Sequence, residues 1–319
     1  MWTAIRAFLW VYALIALVVL GALAFAWRFV APPPPREVTV ATAAPGGAYH
    51  EAAAAWARIL AREGITLRLR PTAGSIENLR LLSADPAEVD LALVQGGVGG
   101  AAAWPGLESL AAVFFEPLWV FVRGAEADDR LAALTGRRIA IGPEGSGTRA
   151  LALDLLAGNG VRPGDATLLP LGGMEAAEAL AAGTIDAAMF VSARPTPPIV
   201  RLLRTEGVTL LDFRLRADAY VAAFPFLTRV TLPAGAIDPA GDLPPDNVAM
   251  VAPMAQVVAH RSIHPQIVAL LMEAFTETHR GRQLFAPAGR VPSPDPTDWP
   301  LHADAPRHPR HRPGVLQRY

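Results

Sequence analysis

Twice along this chain, short apolar segments alternate with helical patterns, and most junctions carry Gly, Ser or Thr. The first run places strands at residues 37–41, 66–70 and 89–94, with helices over 49–61 and 75–82. The pattern restarts with strands at 117–122, 138–141, 167–169, 185–191 and 208–211. A short helical turn opens at Leu131, and helices cover 148–157, 173–181 and 196–204. Short loops between alternating strands and helices predict an α/β fold whose largely parallel sheets are covered on both faces. Two similar α/β units thus lie in series.

The last third changes character. Residues 224–232 and 248–258 read as strands around a stretch rich in Pro, Gly and Asp. Residues 265–279 form a helix with an N-cap region at Ser262, and beyond Pro287 the chain reads as irregular. These late elements are expected to complete the first unit. Lobe one is then 37–121 with 222–290, lobe two is 122–221, and 291–319 is a tail. The chain would cross between lobes near residues 120 and 220, and such a double crossing makes a hinge around a cleft.

Residues 7–27 form a run without a charged side chain. At 1.5 Å per helical residue it spans roughly 30 Å, the thickness of a bilayer core. Trp2, Trp10, Tyr12 and Trp27 lie near its ends or in its first turns, where amphipathic rings tolerate the interface. Residues 1–30 are therefore read as one transmembrane helix acting as an anchor. The alternative is a signal peptide cleaved at Ala24-Phe25-Ala26. Residues 31–36 follow as a Pro-rich linker, stiff and extended. One span would leave the large domain outside the cytoplasm.

Composition removes several classes of chemistry. There is no Cys, hence no disulfide, thiolate ligand or Cys nucleophile. There is no Lys, which excludes a Walker-type phosphate loop and a Schiff-base amine. A formal net charge of -1 offers no broad basic field for nucleic acid. No Gly-x-Ser-x-Gly elbow, His-Glu-x-x-His run or dinucleotide fingerprint occurs. Of the seven His residues only His302, His308 and His311 cluster locally, and they read as loose tail residues rather than a metal site. No catalytic residue, metal or cofactor is expected.

The strand-end loops carry the candidate binding site. In a parallel sheet the carboxyl ends of the strands share one edge, and ligands bind outside it. Thr42, Gly46, Gly47 and Tyr49 follow the first strand. Ser75, Glu77 and Asn78 follow the second, and Gln95 the third. In the second unit Gly145, Ser146, Gly147 and Thr148 open a helix, where Ser146 is placed to act as N-cap. Free first-turn amides there suit a carboxylate. Arg123, Arg149 and Arg194 are candidates for bidentate carboxylate contact, Arg194 first among them.

These motifs resemble the TAXI-type solute receptors of tripartite ATP-independent periplasmic (TRAP) transporters, in their membrane-anchored subgroup. The likeness rests on Gly46-Gly47-Ala48-Tyr49, on Gly74-Ser75-Ile76-Glu77-Asn78-Leu79 with Asp90-Leu91-Ala92-Leu93-Val94-Gln95, and on Gly145-Ser146-Gly147-Thr148. Gly183-Thr184-Ile185-Asp186-Ala187 with Phe190 adds to it. The resemblance implies a bilobed, type II periplasmic-binding-protein-like fold of two doubly wound domains. It implies a small organic acid or amino acid as ligand, dicarboxylate or glutamate-like, passed to integral-membrane TRAP permease subunits at the periplasmic face of the inner membrane. Ala43-Ala44-Pro45 and Ala193-Arg194-Pro195 depart from the family's loops. A tethered sensory domain and a bilobed enzyme acting on a small metabolite are the alternatives.

Overall fold

In a computed structural model, residues 2, 10, 12, 15–22, 33–124, 130–294 and 298–305 are described. The chain divides into a unit before Arg36 and one from Arg36 onward. In the first unit Trp10, Tyr12 and residues 15–22 are helical, and the rest of the expected span lies outside the described residues. Among the described residues no helix is long and apolar enough to cross a membrane.

The second unit is a bilobed, periplasmic-binding-protein-like α/β fold on two mixed sheets. Lobe one contains β1 (Glu37–Ala41), α1 (Ala48–Arg62), β2 (Thr66–Arg70), α2 (Ser75–Leu82), β3 (Leu91–Gln95) and β4 (Leu107–Phe115). Lobe two follows with β5 (Leu118–Arg123), a 3-10 turn (Leu131–Leu134), β6 (Arg138–Ala140), α3 (Gly147–Gly158), β7 (Thr167–Leu169) and α4 (Gly173–Ala181). It continues with β8 (Ala187–Val191), α5 (Pro197–Leu203), β9 (Val208–Leu210) and α6 (Ala217–Ala223). Then come β10 (Thr228–Leu232), β11 (Val248–Ala252), β12 (Met254–His260) and α7 (Pro265–His279).

The sheet orders are β2-β1-β3-β12-β4 and β7-β6-β8-β5-β9. Each sheet is largely parallel, as expected, with one strand opposed: β12 runs antiparallel to β3 and β4, and β5 antiparallel to β8 and β9. The reason is the hinge. β4 ends where the chain leaves lobe one, so β5 enters its sheet from that same edge, and β12 re-enters lobe one likewise. A strand that starts at the edge where the parallel strands end must run the other way.

The chain crosses between lobes at Glu116–Pro117 and at Pro253, and the Glu116 amide donates to the Pro253 carbonyl at 2.9 Å. The apolar run 248–258 is therefore two strands broken at Pro253, which has no amide to give a ladder. The second crossing lies there and not near residue 220. β10 and β11 pair with each other. Their Val230, Leu232, Val248 and Met250 share an apolar cluster with Trp119, Phe121 and Phe190 of lobe two. The β10–β11 hairpin thus packs with lobe two, although the lobe boundary expected at 222 assigns it to lobe one.

On one face of the first sheet, Trp56 and Leu60 of α1 pack with Ile267, Leu271 and Phe275 of α7. On the other, Leu79 and Leu82 of α2 pack with Val94 and Trp299. β3 is buried on both faces, as its continuous LALVQ run demands. β4 and α6 are elements that sequence patterning missed. The cap of α7 is His264, whose side chain accepts from the Gln266 amide, rather than Ser262.

The tail is not wholly irregular. Ser293 exchanges backbone hydrogen bonds with Ala112, and His302 and Pro300 bond to Ser109, so the tail covers the free edge of β4. His302 is buried with its ring 3.3 Å from the Arg261 carbonyl, and is not a loose tail residue. His308 and His311 lie outside the described residues.

Candidate functional site

A cleft of about 280 Å³ opens between the lobes at the hinge. Four helices bring their N-terminal turns to it: α1 through Gly47–Tyr49, α2 through Gly74 and Ser75, α3 through Ser146–Thr148, and α4 through Gly172 and Gly173. Each follows a strand directly, so the sheet edges deliver these turns to one place. Helix N-termini carry partial positive charge and unsatisfied amides. In α3 the Ser146 hydroxyl accepts from the Arg149 amide and donates to the Pro143 carbonyl at 2.7 Å. The Gly147 and Thr148 amides are the first-turn donors that this cap leaves over. The Thr148 hydroxyl accepts from the Val191 amide at 3.3 Å, and its own hydrogen has no acceptor among the described residues.

The lobes touch across the cleft. The Ile76 amide donates to the Gly145 carbonyl at 3.2 Å, and the Gln95 side-chain amide to the Gly147 carbonyl at 3.1 Å. Gly74 needs to be glycine twice over: its φ is +132°, and a Cβ there would lie 3.3 Å from the Ser146 Cα.

The expected site residues separate into two groups. Gly47, Tyr49, Ser75, Gln95, Ser146, Gly147, Thr148 and Phe190 line the cleft. The others do not. Asn78 is fully buried and donates to the Thr42 and Leu93 carbonyls at 2.6 and 2.7 Å, and Thr72 bonds to both Thr42 and Asn78. Thr42 and Asn78 therefore pin the β1, β2 and β3 ends together beneath the loops. Glu77 accepts from the Ala73 amide at 2.7 Å, tying the α2 entry back on itself. Gly46 is an exposed left-handed turn residue, and Gly145 contributes its carbonyl to the interlobe bond above.

None of the candidate arginines lines the cleft. Arg194 pairs with Glu51 of α1, an ion pair that spans the lobes at their exposed rim. Arg123 donates to the Leu180 and Ala181 carbonyls at the end of α4. Arg149 is half-buried, its Nη1 shielded and without a hydrogen-bond partner among the described residues.

Sequence patterning missed Glu116. This hinge carboxyl lines the cleft at 4 % exposure and accepts from the Tyr49 hydroxyl at 2.8 Å. The Tyr49 hydroxyl is also 3.4 Å from the Ser75 Oγ, which accepts from the Gln95 amide. Burial, partly offset by the Tyr49 hydrogen bond, holds the Glu116 carboxyl up at about 8. Burial and then the neighbouring Glu116 raise Tyr49 well above the ordinary phenol range. The one signal in sequence is an acidic residue followed by Pro between two apolar runs. Gly172, Gly173, Met189, Ser192 and Thr196 also line the cleft.

Among solved structures, a protein from Bordetella bronchiseptica RB50 matches at a TM-score of 0.52 and 20% identity, over 77% of this chain and 71% of that one. The periplasmic aliphatic sulphonate binding protein SsuA from Escherichia coli matches at 0.46 and 15% identity, over 77% and 69%. An ancestral arginine-binding protein bound to arginine matches at 0.49 and 12%, over 77% and 93%. The sequence model of the NMT1-like family matches residues 40–295, and the chain belongs to that family.

Proposed function

We propose that this chain is an extracytoplasmic solute-binding receptor that captures a small polar molecule by lobe closure and presents it to a membrane transporter. The convergence of four helix N-terminal turns on an interlobe cleft carries this reading. Those turns replace water around a polar or anionic group without reorganising, and a hydrogen bond to a charged group contributes about 1.5–3 kcal/mol. Tyr49, Met189 and Phe190 add apolar surface for the rest of the guest. The family membership and the bilobed fold support the reading of a periplasmic location and small-molecule binding. Anchoring by the N-terminal segment rests on the apolar run at 7–27, and a TRAP-type permease as partner on the sequence resemblance.

The test is native mass spectrometry of the chain purified from the periplasm, followed by calorimetry with the solute that travels with it. Thr148→Ala removes one cleft hydroxyl and is expected to weaken binding about tenfold while the circular dichroism spectrum is unchanged. A cleft that carries no solute and responds to none added overturns the reading.

A further inference from the structure

Glu116 is the one Asp, Glu, Lys, Arg or His among the described residues that line the cleft. A buried carboxylate is costly unless a counter-charge meets it. The protein supplies one hydroxyl, from Tyr49 to Oε2, and Oε1 takes no hydrogen bond among the described residues. No arginine is among the residues that line the cleft, and Arg194 and Arg123 are paired with Glu51 and with the end of α4. The cleft lining offers no counter-charge of its own, so a cation that makes Glu116 a carboxylate would arrive with the guest. Resting on the receptor reading above, we propose that Glu116 anchors a positively charged nitrogen of the captured solute. The solute is then an amine-bearing molecule, an amino acid or similar zwitterion, and not an amine-free dicarboxylate. The helix N-termini hold its anionic or polar end.

A proton follows from this assignment. With its carboxyl held at about 8 by burial, Glu116 carries a proton at pH 7 when nothing positive is near. An ammonium at Oε1 favours the carboxylate and drives that proton off. The groups that bear on it are few. From α1, Tyr49 meets it directly. Behind Tyr49 stand Phe114, 6.1 Å away between ring centroids, and then His279 of α7, 5.7 Å beyond. On the β4 side Arg290 sits over the Phe115 ring at 6.0 Å. Of these groups only Tyr49, besides burial itself, acts on the Glu116 carboxyl.

The experiment uses matched pairs at pH 7: L-glutamate against glutarate, L-aspartate against succinate, L-leucine against 4-methylpentanoate. Thermal shift ranks them, and calorimetry in phosphate and in Tris counts protons for the tightest. The aminated member of a pair is expected to bind about thirtyfold tighter or better, with release of close to one proton per solute. Glu116→Gln, neutral and nearly the same shape, is expected to lose both the preference and the proton. An amine-free acid that binds as tightly as its partner overturns the proposal, as does an unchanged preference in Glu116→Gln. A co-purified solute lacking a basic nitrogen overturns it while leaving the receptor reading intact. A cleft that neither carries a solute nor responds to any pair overturns both.

Discussion

A methyl group at position 147 would act as a wedge between the lobes. Gly147 has an ordinary φ, so alanine there carries no backbone strain. Its Cβ would lie 2.7 Å from the Gln95 Oε1, 3.0 Å from the Ser75 Oγ and 3.1 Å from the Gln95 Cδ, all on the other lobe. Gln95 would have to swing away and give up its 3.1 Å bond to the Gly147 carbonyl. Gln95 is almost fully buried, so its amide would be left unpaired at a cost of about 1–3 kcal/mol. Taking about 2 kcal/mol against the closed form alone, Gly147→Ala should raise the dissociation constant of the co-purified solute about thirtyfold. The open form contains no such clash, so the melting temperature without solute should stay within about 2 °C of wild type. Calorimetry measures the first quantity, differential scanning calorimetry the second, and small-angle scattering should find the solute-saturated variant more open. Unchanged affinity would refute closure through this contact. An equal loss of stability without solute would mean that the lobes form one rigid body.

Other consequences are simpler. His279 is buried, accepts the Trp56 indole N–H at 3.1 Å, and is pushed by burial down to about 4. A depressed imidazole contributes stability that is present above the ordinary value of 6.5 and lost as pH falls through about 4. Relative to His279→Gln, wild type should lose about 3 kcal/mol between pH 7 and pH 4 in urea melts; parallel pH profiles would count against it. Glu116 runs the other way. Its raised carboxyl contributes stability present below about 4.5 and lost as pH rises through about 8, so Glu116→Gln should flatten that decline in thermal melts without solute. The Arg194–Glu51 pair spans the lobes but is half exposed on both sides. Arg194→Ala should therefore weaken solute binding by less than about fivefold, and the difference should vanish in 0.5 M salt. A loss of a hundredfold would return Arg194 to the ligand.

Local signals carried most of the elements and half of the site. The alternation of apolar runs with helical patterns located β1, β2, α2, β7 and α7 within a residue or two. Gly47, Ser75 and Ser146–Thr148 were legible because a strand-to-helix turn that lets backbones approach needs small residues and a cap, and those needs are local. The chain's own letters also settled what it lacks, since thiol and Lys amine chemistry require side chains that are absent. Other decisions depended on what lies far away in sequence. Thr42 and Asn78 look like ligand contacts, yet the fold turns them inward to each other and to the Leu93 carbonyl. Arg194 looks free until α1 brings Glu51 against it, 143 residues earlier. The antiparallel strands β5 and β12 exist because of where the hinge lies, and the hinge position follows from Glu116 meeting Pro253 across the molecule. Glu116 is an unremarkable acid in a string of letters. Only the packing of Tyr49 and two lobes around it removes its water, and a carboxyl without water is one that can demand a partner.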